Sequence, residues 1–382
     1  MRYFYSLLIL LIFSTIALAQ TPSQNVITTA VPFLNISPDA RSGALGDAGV
    51  ALSPDANSQY WNASKLAFLE SPTNFSLSYS PWLRNIVSDV SLANFDFSHK
   101  IDDRNTIAAS LRYFNLGTLN LYDDNQNSLG TSNPNEYSFD VSLARKFGEN
   151  FSLGLTARYI HSNIIQGSYA GQQTNPANAF AADVSLFTSN EVSEFGNQAI
   201  FAFGTNISNI GPKVSYEAGG QKYFLPTNLK IGIANTWLLE DESKITFTLD
   251  LNKLLVPTPP LRDANGNIIS GTDDNRSVVS GIFGSFSDAP GGFSEEMQEV
   301  SYASGLEIWF RNQFALRTGF FYENPYKGNR EYATFGAGLK VSDINIDFSY
   351  LVSFQQYNPL SNTLRFTVGY NIDPNKKKDK SF

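Results

Sequence analysis

The sequence predicts an all-β fold, a 14-stranded transmembrane antiparallel β-barrel with an N-terminal hatch inside its lumen, and three observations predict it. Apolar and polar residues alternate with a period of two through fourteen successive segments, while helical periodicity is nearly absent. The connections alternate in length, roughly 9 to 46 residues after odd-numbered segments and roughly 2 to 9 after even-numbered ones, as expected of an outer-membrane barrel. The polar faces carry Asp96, Arg112, Asp140, Arg158, Asp183, Asp250, Glu307, Arg317, Asp347 and Arg365. A sandwich core would bury such charges only at a heavy desolvation cost, whereas a wet lumen accepts them.

Composition agrees with this class. The 382 residues include 30 Phe and 18 Tyr but only 2 Met and no Cys, a usage that favours strands and turns over long helices. Stability therefore cannot rest on disulfides. Residues 1–19 read as an export signal: Arg2, an apolar run over 7–18, and Ala17-Leu18-Ala19 before Gln20. The run is too short to span a bilayer, and no later stretch is long and apolar enough to be a membrane helix. Losing Arg2 with the signal takes the formal charge from −8 to −9, which excludes nucleic acid and adsorption to anionic membranes as main activities.

The strands are expected over 74–80, 90–101, 106–116, 135–147, 151–162, 178–188, 198–207, 228–239, 244–254, 301–310, 314–321, 332–341, 344–352 and 362–370. In the fourth, Tyr137, Phe139, Val141 and Leu143 oppose Ser138, Asp140 and Ser142. In the ninth, Ile245, Phe247, Leu249 and Leu251 oppose Thr246, Thr248, Asp250 and Asn252. Tyr79, Trp82, Tyr113, Tyr159, Trp237, Trp309, Tyr350 and Tyr370 lie near strand ends, where interfacial aromatic girdles sit. The long connections are expected outside the cell and both termini in the periplasm, with 74–370 as the barrel and 371–382 as a basic periplasmic tail bearing Lys376, Lys377, Lys378 and Lys380.

A barrel of this size has a lumen that its own wall side chains cannot fill. Residues 20–73 precede the first strand, and their 30–68 stretch has the content of a packed insert: Val31, Phe33, Leu34, Ile36, Leu45, Val50, Trp61, Leu66 and Phe68, with Gly43, Gly46 and Gly49 at three-residue spacing for close approach to a wall. This stretch contains Gly-Ala-Leu-Gly-Asp-Ala-Gly-Val-Ala (43–51), Pro-Asp-Ala (54–56) and Tyr-Trp-Asn-Ala-Ser-Lys-Leu-Ala-Phe (60–68). With fourteen strands behind it, it resembles the FadL superfamily of outer-membrane barrels. Within that superfamily, Ala-Val-Pro-Phe-Leu-Asn-Ile-Ser-Pro-Asp-Ala-Arg-Ser-Gly (30–43) resembles the PorV (LptO) family of the Bacteroidetes type IX secretion system. One departure is Asn62-Ala63-Ser64, where the superfamily tends to show Asn-Pro-Ala, and it concerns the local turn.

The resemblance places hatch residues at Asn35, Asp39, Arg41, Gly43, Gly46, Gly49, Asp55 and Asn62. It implies a non-catalytic role: accepting cargo with a C-terminal signal domain from a SprA/Sov-type translocon barrel and delivering it to the PorU attachment complex, in an outer-membrane lipid environment. Two other roles compete with it, a FadL-like channel for hydrophobic small molecules and a structural scaffold of the attachment complex like the sister barrel PorQ.

The inventory of reactive groups points the same way. With no Cys and only His99 and His161, on separate strands, neither a nucleophilic triad nor a metal site has a supporting motif, and no cofactor is expected. The connection over 255–300 is the main candidate outside the hatch. It begins with Pro257, Pro259 and Pro260 and the turn residues Asp263, Asn265, Gly266 and Asn267. It then carries Ile282, Phe283, Phe286 and Phe293, followed by Glu295, Glu296 and Glu299. Those apolar residues serve either as a contact for a partner protein or cargo, or as a lid folded over the lumen.

Overall fold

The computed structural model describes residues 25–83, 89–122, 125–164, 167–169, 172–355, 358 and 360–374. The expected export signal and the lysines of the basic tail lie outside the described residues.

Fourteen antiparallel strands close into one barrel, each paired with its neighbours in sequence and the last with the first. They are β1 (Thr73–Pro81), β2 (Ser91–Lys100), β3 (Asn105–Asn115), β4 (Asn135–Lys146), β5 (Phe151–Asn163), β6 (Ala177–Glu194) and β7 (Asn197–Ile210). The second half is β8 (Asn228–Leu238), β9 (Lys244–Leu254), β10 (Val300–Phe310), β11 (Phe314–Tyr322), β12 (Glu331–Val341), β13 (Ile344–Ser353) and β14 (Leu364–Ile372). All fourteen fall where the alternation predicts them. The largest boundary difference is at β6, which runs on to Glu194 and turns into β7 through Phe195 and Gly196, both with positive φ (51° and 80°). Ser189, Asn190, Ser193 and Glu194 have no apolar partner to alternate with, so the pattern stops before the strand does.

Side-chain exposure follows the two-residue period. Phe139, Val141 and Leu143 are 47%, 47% and 46% exposed, while Ser138, Asp140 and Ser142 are buried between them. All ten charged residues expected to face the lumen are buried. A protein that turns its polar faces inward and a continuous apolar belt outward matches a hydrocarbon surrounding, not water. Two of the expected girdle aromatics belong elsewhere. Trp82 is buried in the same apolar cluster as Val31, Phe33 and Leu34 of the N-terminal segment. Trp309 shares the inward parity of Glu307 and stacks with the Arg317 guanidinium at 5.4 Å from its ring centre.

Residues 25–72 thread the barrel from one end to the other. At the long-connection end, the Lys327 ammonium donates to the Asn25 carbonyl (3.1 Å) and the Ala30 N–H donates to the Phe224 carbonyl (2.9 Å). At the short-connection end, Phe68 packs edge-on against Phe187 at 5.5 Å, and the chain enters β1 at Thr73 beside Ile372. Asn25 thus lies at the long-connection end and Ile372 at the short-connection end, while the termini themselves, both expected in the periplasm, fall outside the described residues. The segment must cross the whole lumen before it can join the wall.

Candidate functional site

Two regions concentrate the unusual chemistry, the segment inside the barrel and the connection 255–299. The first is built from short helices, α1 (Ala40–Gly43) and α2 (Ser58–Trp61), with 3₁₀ turns at Pro32–Asn35 and Ala63–Phe68. None would be stable alone. Asp39 caps α1 by accepting from the Ser42 N–H (2.8 Å), and its other oxygen accepts from the Trp61 indole (2.6 Å), so one buried carboxylate ties the two halves of the segment together. Asn62 caps the second 3₁₀ turn through Ser64 N–H (3.1 Å) and donates to the carbonyls of Val50 (3.0 Å) and Leu186 (2.9 Å). The turn therefore forms with Ala63 where the superfamily tends to place proline.

Several of the bonds to the wall are ionic or charge-assisted. Arg41 meets Glu307 of β10 through two parallel bonds (3.0 and 2.9 Å) and also donates to Asp55 (2.9 Å) and the Ser53 carbonyl (3.1 Å). Glu307 in turn accepts from Arg317 (2.7 Å), which also holds Asp347 (2.6 Å). Asp250 of β9 accepts the N–H groups of Gly49 (2.7 Å) and Val50 (2.9 Å) on one oxygen. Asp47 pairs with Arg365 (3.1 Å) and accepts from the Tyr332 hydroxyl (2.6 Å).

Close approach of backbone to backbone explains Gly46 in particular. Its φ is +71°, its N–H donates to Thr334 (2.9 Å), and a Cβ there would sit 2.5 Å from the Phe320 carbonyl oxygen. The facing wall residue is Gly319, where a Cβ would lie 2.1 Å from the Gly46 nitrogen.

Seven of the eight expected hatch residues are joined in this assembly. Gly43 lies against Arg365 and Gly49 against the face of Trp61, while Asn35 stands apart, half-buried on a cavity of about 100 Å³ on the long-connection side. The sequence reading missed Asp47 and Lys65, the latter buried with its ammonium on the Gly49 carbonyl (2.8 Å). It also missed the wall glycines. Gly204, Gly305 and Gly319 all stand at inward-facing positions of their strands and all lie against the segment. Glycine at that parity was the available signal.

The segment separates the small upper cavity from a mouth of about 600 Å³ at the short-connection end, lined by Arg41, Asp55, Trp309, Arg317 and Lys340 among others. Both spaces have mixed walls, with charged groups set among apolar side chains such as Phe68, Phe187 and Ile200 in the larger and Tyr60, Trp61 and Phe321 in the smaller. The histidines stay apart, His99 beside Thr73 (2.8 Å) and His161 beside Asn178 (2.8 Å). Among the described residues no three His, Asp or Glu side chains gather as metal ligands.

The second region is the connection 255–299, which carries a two-stranded ribbon (Leu261–Arg262 with Ile268–Ser270) and helices α3 (Val278–Gly284) and α4 (Phe293–Gln298). A buried charge network fastens it to the rim. Lys253 donates to Glu296 (2.9 Å) and Glu299 (2.7 Å), and Lys327 donates to Glu299 (3.0 Å) and Glu295 (2.5 Å). Burial pushes the Asp288 carboxyl above its ordinary range. Glu295, whose partial burial acts in the same upward direction, is nonetheless held below its ordinary range by Lys327 and the Gly291 N–H.

On this fastened base the apolar side chains point outward. Phe283 is 76% and Phe293 80% exposed, each followed or preceded at helical spacing by a second exposed apolar residue, Val279 on α3 and Met297 on α4. Phe286 is exposed and Ile282 is half-buried. These residues do not form a buried cover over the lumen.

The closed sheet, outward apolar belt and occupied lumen define an outer-membrane β-barrel. Among solved structures, the CymD monoaromatic hydrocarbon channel is similar over 88% of this chain and 98% of its own, with 11% identity and a TM-score of 0.52. The TodX deltaS2S3 mutant monoaromatic hydrocarbon channel matches over 88% and 98%, with 10% identity and a TM-score of 0.51. A Pseudomonas aeruginosa FadL homologue matches over 91% and 99%, with 10% identity and a TM-score of 0.43. Likeness at these identities shows the fold alone. No curated protein matches the chain. The family model of the type IX secretion system protein PorV matches residues 19–261. The chain belongs to the PorV family, a non-enzymatic family of type IX secretion.

Proposed function

We propose that this barrel is a cargo acceptor and shuttle of the type IX secretion system, with its long connections at the cell surface and its short ones in the periplasm. The exposed apolar side chains of the fastened loop carry this reading. Phe283 and Phe293 are presented to the surroundings on short helices whose base is fixed by buried lysine–glutamate pairs. A solvated loop gains nothing from such side chains, and a protein surface gains most from aromatic anchors on a rigid base. The partners this fits are the C-terminal signal domains of secreted proteins, the SprA/Sov-type translocon barrel that releases them and the PorU complex that receives them.

The segment 30–68 acts as the hatch of this barrel. A FadL-like path for hydrophobic molecules would need the hatch to yield and an apolar route beside it. The ion pairs of Arg41 and Asp47 and the charge-assisted bonds to Asp250 oppose the first, and Arg41, Glu307 and Arg317 on the wall of the larger cavity disfavour the second. A PorQ-like scaffold would hold PorU without binding cargo itself.

The test is affinity purification of the tagged barrel from detergent-solubilised outer membranes, followed by mass spectrometry. Co-purification of the translocon barrel, PorU and secreted proteins still carrying their C-terminal domains supports the shuttle. Recovery of PorU without such cargo supports the scaffold, and recovery of the barrel alone supports the channel.

A further inference from the structure

The β6–β7 hairpin outruns the barrel on one side. Pairing of β6 with β5 ends at Thr188↔Phe151, followed by one bond from the Ser189 N–H to the Asn150 carbonyl (2.9 Å). Pairing of β6 with β7 continues to Glu194↔Asn197. In an antiparallel ladder successive residues direct their backbone groups to opposite sides. Since Ser189 faces the β5 side, Glu191 and Ser193 face it too, and beyond the short turn 147–150 no described strand stands there to meet them. The edge Asn190-Glu191-Val192-Ser193-Glu194 contains no lysine, proline or bulge of the kind that protects exposed edges.

The surroundings of this vacant strand position are acidic and aromatic. Glu149 and Glu191 are exposed and join no ion pair among the described residues, and the Glu194 carboxylate accepts from Trp237 (2.9 Å) and Asn235 (2.7 Å). Of the neighbouring cations, Arg145 is engaged with Asn105 and Lys146 lies over the Phe68 ring. Phe195 at the hairpin tip is 93% exposed and Phe147 on the adjacent turn 56%. Glu191 and Ser193 share the parity of Ser189, which lines the 600 Å³ mouth, so that face of an added strand would look over the cavity.

We propose that the open edge of β6 at Glu191 and Ser193 is a docking site for an extended, lysine- or arginine-bearing segment of a periplasmic protein, which adds to the sheet as a further strand. Backbone pairing supplies attachment, the carboxylates select basic side chains, and Phe147 and Phe195 cover the two ends of the segment. The proposal rests on the orientation given above, with short connections in the periplasm.

The probes are a short peptide alternating lysine and valine, its counterpart with glutamate for lysine, and the lysine peptide N-methylated along one edge, titrated against the purified full-length barrel. The lysine peptide binds saturably, and the other two bind at least about tenfold more weakly. Ser193→Pro removes only an outward-facing N–H, so the barrel keeps its heat-modifiable gel mobility while losing the peptide. Equal binding of the N-methylated peptide to the unmodified barrel overturns strand addition, whatever the fate of the variant. Orientation is read separately in this cysteine-free chain by Phe195→Cys. Labelling by an impermeant maleimide only after the outer membrane is opened agrees with the proposal. Labelling on intact cells overturns the orientation, and with it the periplasmic partner, without bearing on the edge itself.

Discussion

The segment inside the barrel and the loop 255–299 both rest on buried ion pairs, yet they use their apolar residues in opposite ways. In the lumen, Val31, Phe33, Leu45, Val50, Trp61 and Leu66 are all buried, and the charges of Arg41, Asp47 and Asp250 join the segment to the wall. On the loop, Glu296 and Glu299 are buried against Lys253 of β9 and Lys327 of the β11–β12 connection, and Val279, Phe283, Phe293 and Met297 stay outside. The contrast separates a part whose apolar residues are enclosed from one whose apolar residues stay exposed on a fastened base. A buried pair fixes geometry because losing either partner leaves an uncompensated charge.

The comparison breaks most sharply at Arg41. Arg41→Ala strands Glu307 on the wall with only Arg317, at an expected cost of about 3–5 kcal/mol, seen as a lowered unfolding temperature of the purified barrel. Retention of full stability would show that the segment is not held by this pair. Replacing both Phe283 and Phe293 by serine has the reverse profile. Stability changes by less than about 0.5 kcal/mol because both side chains are exposed, while affinity for a purified C-terminal signal domain falls by about 2 kcal/mol or more. Unchanged affinity would remove the loop from the acceptor surface.

Gly46→Ala tests the close approach itself. A left-handed backbone and contact with Phe320 together cost about 1–3 kcal/mol, and single-channel recordings should then show a leak that the parent barrel lacks. The smallest effect concerns pH. Glu295 has a folded-state pKa below its ordinary value, so its contribution is present near neutrality and is lost as pH falls through that depressed pKa. Amide exchange in α4 should accelerate in acid before exchange in the barrel strands does. Simultaneous acceleration would show that Glu295 does not hold the loop separately.

Much of this arrangement was readable from local pattern. Alternation located all fourteen strands because each wall residue faces either lipid or lumen, with no third environment, and the same parity assigned the ten inward charges. It failed at Ser189–Glu194, where a hairpin standing clear of both environments has no apolar face to display. Trp82 and Trp309 were misassigned for a related reason. Nearness to a strand end says nothing about which side an aromatic ring takes.

The segment 30–68 divides in the same manner. Its glycines and apolar residues marked 30–68 as something packed, and family resemblance singled out Asp39, Arg41 and Asn62. That Arg41 meets Glu307, Gly46 meets Gly319 and Gly49 meets Asp250 depends on residues about 200 to 273 positions apart, brought together only when β14 closes against β1. The direction in which the segment crosses the lumen was equally out of reach, since no local preference distinguishes entry at one mouth from entry at the other. By itself the sequence determined the barrel, its strand count and its two-faced wall, because those follow from a period of two. Only the tertiary structure decided how the lumen is occupied, because pairing between distant charges is a property of the closed ring.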